Sequence, residues 1–258
     1  MSVPGKAAAR DIARVGLFGL AIYGGVQLIA RLLEHNATGA LGAQFVLAEA
    51  GLGKLGVAWS DPHAPIATTR QIAARAMKGA RYGATVAAAG IAIGLATRTL
   101  TRDNAPPSLS PLLLGTLVAA ATAARDELLL RGLPLRLIEP LRASLGKYAS
   151  AAGLLLVAAA GVAARFGTPD ASAPELIFAG ASAVALGGLW LRDRGVWMAW
   201  GANTAFAMLA GPLVRGGLVD LRAARGDLVT SVPMLAVVVA IAAASAWSAL
   251  RPRAVATA

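Results

Sequence analysis

Long apolar runs alternate with short clusters of arginine and lysine along the whole chain. Runs of roughly 17–25 apolar residues are long enough to cross the ~30 Å hydrocarbon layer of a bilayer as α-helices. The pattern predicts an all-α, polytopic transmembrane helix bundle of about eight spans. These lie near residues 12–33, 37–53, 80–98, 110–131, 148–165, 175–191, 195–212 and 230–250. The second span gives the weakest pattern, because it is short and carries Glu49.

The composition is typical of a membrane protein rather than a soluble one. Of the 258 residues, 57% are hydrophobic and only 14% are charged, whereas a soluble domain is roughly 25% charged. Small residues let helix backbones approach closely in lipid, so Gly90 and Gly94 in a GxxxG pattern predict a close helix contact. We expect a single integral membrane domain over residues 1–258, with residues 54–79 forming a cytoplasmic loop that ends in an interfacial helix.

The arginines and lysines lie mainly beside the predicted spans. The net charge of +11 comes from short basic clusters beside apolar segments, not from one basic stripe, so we expect no nucleic-acid partner. With the N-terminus inside, 16 arginines and lysines fall on the cytoplasmic side and 7 on the other. Since cytoplasmic loops carry the excess of basic residues, both termini are predicted to be cytoplasmic. Arg125 alone is left within a span.

One charged cluster interrupts the apolar pattern, in the segment "ARDELLLRG". Glu127 and Arg131 are i and i+4 on a helix, close enough to pair, while Asp126 is rotated by about 100° from Glu127. Ionisable groups inside a membrane are costly and are functional candidates by default. The alternative is an interfacial charge cluster whose arginines reach the aqueous boundary.

The segment "DELLLRG" resembles the E-E-x-x-x-R signature of the CPBP family, which includes type II CAAX prenyl endopeptidases and bacteriocin-processing proteases. Residues 175–207 resemble that family's Gly-rich helix, basic turn and Trp-bearing helix. The similarity covers residues 80–212, a CPBP-like core. It implies an intramembrane endopeptidase in a bacterial cytoplasmic (inner) membrane, with the family's leading glutamate at Asp126, its second at Glu127 and its arginine at Arg131.

The match fails at the histidines on which such proteins depend for activating water and stabilising the oxyanion. The F-x-x-x-H motif aligns Ala158 with the phenylalanine and Val162 with the histidine. The H-x-x-x-N motif aligns Asn203 with the histidine and Ala207 with the asparagine. Asn203 could donate a hydrogen bond to an oxyanion or join two helices, and both alternatives remain open. Asp126, one methylene shorter than glutamate, also misplaces its carboxylate.

Metal and cofactor sites are not expected. The chain has no cysteine, and its only two histidines are His35 and His63, so thiolate sites and the HExxH zinc motif are both excluded. His63 in a loop could bind a metal or sense pH, although a solvated histidine fits equally. Glu49 could face a polar cavity or end a helix.

Two functional hypotheses follow, with Asp126, Glu127, Arg131 and Asn203 as candidate site residues. The first is a CPBP-type endopeptidase of reduced or lost activity that acts on membrane-associated or lipidated peptides. The second is a non-catalytic regulatory protein that binds a peptide or a protease in the retained cavity. Expected partners are membrane lipids and a membrane-anchored or lipidated peptide or protein. A small-molecule transporter is a more distant alternative, because no convincing pair of broken helices occurs.

Overall fold

Helices make up nearly the whole of the computed structural model, which describes residues 5–60, 67–103, 109–168, 171–214, 219–224 and 227–250. The α-helices of these ranges are α1 (Lys6–Leu32), α2 (Ala37–Lys54), α3 (Thr69–Ala96), α4 (Leu109–Asp126), α5 (Leu133–Ile138), α6 (Arg142–Leu145), α7 (Ala149–Phe166), α8 (Ala173–Asp193), α9 (Trp197–Ala210) and α10 (Val232–Leu250). A π-helical turn, Glu127–Gly132, links α4 to α5, and 3₁₀ turns occupy Glu139–Leu141, Gly146–Tyr148 and Leu228–Thr230. The prediction of an all-α protein is confirmed.

Four helical segments of the described ranges are long and apolar enough to cross a membrane. They are Lys6–Leu32, Leu112–Phe166, Ala173–Asp193 and Val232–Ala249. The segment Leu112–Phe166 is 55 residues long and includes the π-helical turn and the short helices α5 and α6. The count of eight spans stays a prediction.

Hydrogen-bonding caps fix where two of the long helices begin. The Thr68 side chain accepts from the backbone N–H of Gln71, whose side chain accepts in turn from the Thr68 N–H. Ser172 and Glu175 form the same reciprocal capping box at α8. Such boxes satisfy the unpaired N–H groups of a first turn. As a result α3 begins at Thr69, and residues 69–79, predicted as the helical end of the 54–79 loop, are continuous with the helix that follows.

A close helix–helix contact joins α3 to α9 through glycine. A Cβ added at Gly79 would lie 1.9 Å from the carbonyl oxygen of Met198, and one at Gly83 would lie 2.0 Å from that of Ala202. Gly201 faces the carbonyl oxygen of Ala76 in the same way, at 2.1 Å. Only glycine allows two backbones to meet at this separation.

The GxxxG pair singled out from the sequence packs differently. A Cβ at Gly90 would meet the Met234 side chain on α10 at 2.5 Å, and one at Gly94 would meet the Leu100 side chain at 2.6 Å. These glycines therefore receive side chains rather than a second backbone. The helix contact that positions α9 depends on Gly79 and Gly83 instead.

An aromatic cluster packs between α2, α4 and the start of α9. The Trp59 ring lies 4.8 Å from Trp197 and 6.5 Å from Trp200, centroid to centroid. The Trp197 indole N–H donates to Ser60 Oγ at 3.1 Å, and the Trp200 indole N–H donates to the carbonyl oxygen of Ala120 at 2.9 Å. Both polar tips are thus satisfied inside apolar surroundings, which fixes α9 against α4.

A short antiparallel ribbon, not expected from the sequence, follows α3. Strand β1 (Leu100–Asp103) pairs with β2 (Asp220–Ala223), with Leu100 opposite Ala223. Leu100 and Leu221 are buried in a small apolar cluster with Val214 and Leu228. The ribbon therefore ties the end of α3 to the connection between α9 and α10.

Candidate functional site

The acidic segment lies on the π-helical turn Glu127–Gly132 at the end of α4. The backbone N–H of Leu133 donates to the carbonyl oxygen of Leu128, five residues earlier. Pro134 follows directly; in an α-helix its ring would clash with the carbonyl group four residues before it. The wider turn accommodates this proline, and single π-turns of this kind are frequent at functional sites.

Glu127, Arg131 and Asn203 converge in the interior. The Glu127 side chain is 0% exposed and that of Arg131 is 7% exposed. The Asn203 Nδ2 amide donates to Glu127 Oε1 at 2.9 Å. Arg131 Nη1 lies 3.4 Å from the same oxygen, which is an ion pair without hydrogen-bond geometry. Three of the four candidate residues, from α9 and the π-turn, therefore share one buried centre.

This centre uses only part of its hydrogen-bonding capacity. Glu127 Oε2 and Arg131 Nε and Nη1 are buried and have no hydrogen-bond partner among the described residues. Buried polar groups are normally paired, and leaving one unpaired costs roughly 1–3 kcal/mol. The free Oε2 atom is the part of the carboxylate that retains acceptor capacity.

Asp126 belongs to a different cluster. Arg125 approaches Asp126 Oδ1 through Nε at 2.8 Å and through Nη2 at 2.7 Å. Arg125 Nη1 also donates to Gln44 Oε1 on α2, and Gln44 is buried. The two adjacent carboxylates therefore point to separate surroundings. Sequence reasoning missed Gln44; its only signal is an uncharged polar residue in an otherwise apolar segment.

An apolar cavity of about 340 Å³ lies between α3, α8, α9 and α10, and Asn203 borders it. Its lining includes Tyr82, Phe178, Leu186 and Phe206. Neither Asp126 nor Glu127 lines the cavity, so Asn203 is the link between it and the buried carboxylate.

The positions aligned with the missing family residues carry no titratable group. Val162 packs toward α8, where a Cβ at Gly180 would lie 3.1 Å from it, and Ala207 lines the apolar cavity. Within the described ranges, no group of three or more histidine, aspartate or glutamate side chains could hold a metal ion.

His35 and Glu49, which the structure describes, both lie on the surface. The His35 side chain is 95% exposed and lies beside Glu34. His63 lies outside the described residues, and Glu49 is exposed on α2. Glu49 therefore does not join the buried centre at Glu127.

No protein-family model matches this chain, and no curated protein or solved structure matches it with significance. The resemblance to CPBP proteins therefore stays a prediction from the "DELLLRG" motif and its downstream pattern. What the arrangement can do chemically is decided by the burial of Glu127, the bond from Asn203 and the apolar cavity beside it.

Proposed function

We propose that this is a CPBP-like integral membrane protein that binds a lipidated or membrane-anchored peptide without hydrolysing it. The observation that carries the proposal is the fully buried Glu127 carboxylate, held by Asn203, beside an apolar cavity. The proposed setting is a bacterial cytoplasmic membrane, with eight spans and both termini in the cytoplasm.

The loss of hydrolysis is supported by the geometry of the acidic centre. A general base must lie within hydrogen-bond reach of the water that it activates, but Glu127 exposes no surface. The Asn203 amide, at the position aligned with an oxyanion donor, is directed at Glu127. An oxyanion hole needs its donors aimed at the place where the negative charge develops. The aligned Val162 supplies no base.

The binding role is supported by the cavity. Ligand pockets usually measure about 300–1,000 Å³ and have apolar linings with a few polar groups. The cavity of about 340 Å³ has aromatic and aliphatic walls with Asn203 and Ser182 among them. This volume and chemistry suit one prenyl or acyl chain of a lipidated peptide.

One observation favours the hydrolytic alternative. Glu127 Oε2 has no hydrogen-bond partner among the described residues, and Asn203 contacts both this carboxylate and the cavity. Rotation of the Asn203 side chain would release Glu127 toward the cavity. Low residual turnover by Glu127 is therefore the outcome against which the binding proposal must be tested.

The test uses a farnesylated, fluorescein-labelled peptide and the full chain in nanodiscs. Ala207→Trp fills the cavity, so we expect peptide affinity to fall roughly tenfold or more. Leu155→Trp is the matched control, because Leu155 is 72% exposed on the outer surface of α7. Equal binding by both variants would overturn the cavity assignment.

Cleavage of the same peptide is followed by mass spectrometry. We expect the wild-type protein to leave it intact. Turnover that is abolished by Glu127→Gln or by Asp126→Ala would overturn the proposal in favour of an intramembrane endopeptidase.

A further inference from the structure

A second cavity, of about 440 Å³, lies at the other end of α9 from the β-ribbon. Its walls come from the chain after α2, from the α5–α7 region and from the turn between α8 and α9. Unlike the cavity beside Asn203, it is lined by charged side chains. They are Arg136, Arg142, Arg194 and Glu139.

One of these arginines is held rigidly in place. Arg136 Nε donates to the Leu55 carbonyl oxygen at 3.2 Å, and Nη2 pairs with Asp11 Oδ2 at 2.9 Å. Its Nη1 lies 3.5 Å from Glu139 Oε2. Arg136 thus forms a fixed wall of the cavity, and its charge is balanced by nearby carboxylates.

The other two arginines carry uncompensated charge. Across the described residues, neither Arg142 nor Arg194 forms a hydrogen bond or an ion pair with another side chain. Both face the same concave surface. Clefts lined by one sign of charge concentrate the electrostatic potential and attract counter-ions, and guanidinium groups match phosphate oxygens in bidentate geometry. The positive charge of Arg142 and Arg194 therefore favours binding of a phosphate-type anion.

The backbone at Arg194 supplies an independent observation. Arg194 ends α8 in the left-handed conformation, with φ 51° and ψ 41°. Glycine is the usual residue at this position, and a side chain there carries a steric cost. Strained backbone of this kind is a pointer to function. Arg194 thus lines the cavity even though its left-handed backbone carries a steric cost that glycine would avoid.

The cavity also lies where a lipid headgroup would be found. Tyr148, next to the cavity residue Ala149, is 59% exposed, and Lys147 Nζ lies 5.2 Å from the Tyr148 ring centroid. Exposed tyrosines with adjacent basic residues are typical of the membrane–water interface. This places the arginines near the depth of lipid phosphates.

We propose that the cavity lined by Arg136, Arg142 and Arg194 binds a phosphate group, supplied by the headgroup of an anionic phospholipid. Arg142 and Arg194 would contact the phosphate oxygens, and Arg136 would form the fixed base of the site. The assignment is independent of the peptide-binding proposal, because the two cavities share no lining residue.

The test measures lipid retention by native mass spectrometry of the full chain with added phosphatidylglycerol or phosphatidylcholine. We expect the wild-type protein to prefer phosphatidylglycerol, and the double variant Arg142→Gln, Arg194→Gln to lose about tenfold or more of that affinity. Arg192→Gln is the control, since Arg192 lies in the last turn of α8, two residues before Arg194, and does not line the cavity. No preference in the wild-type protein, or an equal loss from Arg192→Gln, would overturn the proposal.

Two further measurements test the source of the phosphate and the role of Arg194. Inorganic phosphate is added as a competitor, and displacement at low millimolar concentration without any phosphatidylglycerol preference would overturn the lipid source. Arg194→Gly removes the charge and relieves the left-handed strain, so we expect it to lower lipid affinity while raising Tm. Unchanged affinity in Arg194→Gly would overturn the role of this guanidinium, whatever its effect on folding.

Discussion

Substitution of Gly83 by alanine tests the backbone contact that positions α9. The new Cβ would lie 2.0 Å from the Ala202 carbonyl oxygen, whereas real Cβ atoms essentially never come within 3.0 Å of another atom. Because that oxygen belongs to the backbone, it cannot rotate away. The helices α3 and α9 must therefore separate by about 1 Å, the difference between these two distances.

Overpacking of a well-packed interface typically costs 1–3 kcal/mol, and we expect the free energy of unfolding to fall by about this amount in Gly83→Ala. Gly79→Ala should cost a similar amount, since its Cβ would lie 1.9 Å from the Met198 carbonyl oxygen. The same helix separation relieves both clashes. The double variant should therefore cost less than the sum of the two single variants, as expected for coupled neighbours.

The assay is unfolding by sodium dodecyl sulfate in mixed micelles, followed by far-ultraviolet circular dichroism. Gly24→Ala is the control, because a Cβ at Gly24 would meet nothing within 4 Å. Alanine favours the helix over glycine by up to about 1 kcal/mol, so the control should be neutral or slightly more stable. If Gly83→Ala and Gly24→Ala unfold at the same detergent fraction, the glycine contact between α3 and α9 is refuted.

Substitutions at four further positions test the polar contacts. Glu127→Ala should lower the free energy of unfolding by about 3–5 kcal/mol, because it leaves Arg131 buried and unpaired. Asp126→Ala removes one partner of a partly exposed pair and should lower it by only about 1 kcal/mol. Equal losses in the same unfolding assay would contradict this difference. Asp193→Ala should lose about 0.5–2 kcal/mol because its carboxylate caps α9 through the Met198 N–H, while Asp193→Asn should keep part of that cap. Trp200→Phe should lower Tm through the lost bond to Ala120, worth about 0.5–1.5 kcal/mol; an unchanged Tm would argue against that bond.

Local chemistry explains the parts of the fold that the sequence predicts. Apolar runs of helical length specify helices wherever they occur, and Glu127 and Arg131 approach each other because they are four residues apart. The divergence of Asp126 from Glu127 follows from the rotation between neighbouring helical residues. These features depend on sequence separations of only a few residues.

Long-range contacts explain what the sequence does not predict. Arg75, near the start of α3, pairs with Asp193 at 2.7 Å across 118 residues of chain. The hydropathy of the segment around Arg75 does not indicate that its partner is Asp193. Gln44 binds Arg125 over a separation of 81 residues, and the four-residue strands are too short to produce a recognisable alternation.

The π-helical turn makes the length of its segment as important as its composition. Deletion of one residue from Leu128–Leu130 would remove the extra residue of the wide turn and give Pro134 ordinary α-helical winding, in which its ring clashes with the carbonyl group four residues before it. Glu127 and Arg131 would become i and i+3 and stay on one face of the helix, so the strain would fall on the backbone before Pro134 rather than on the ion pair. The turn therefore constrains the number of residues in this segment as well as the apolar character of the buried Leu128 and Leu129.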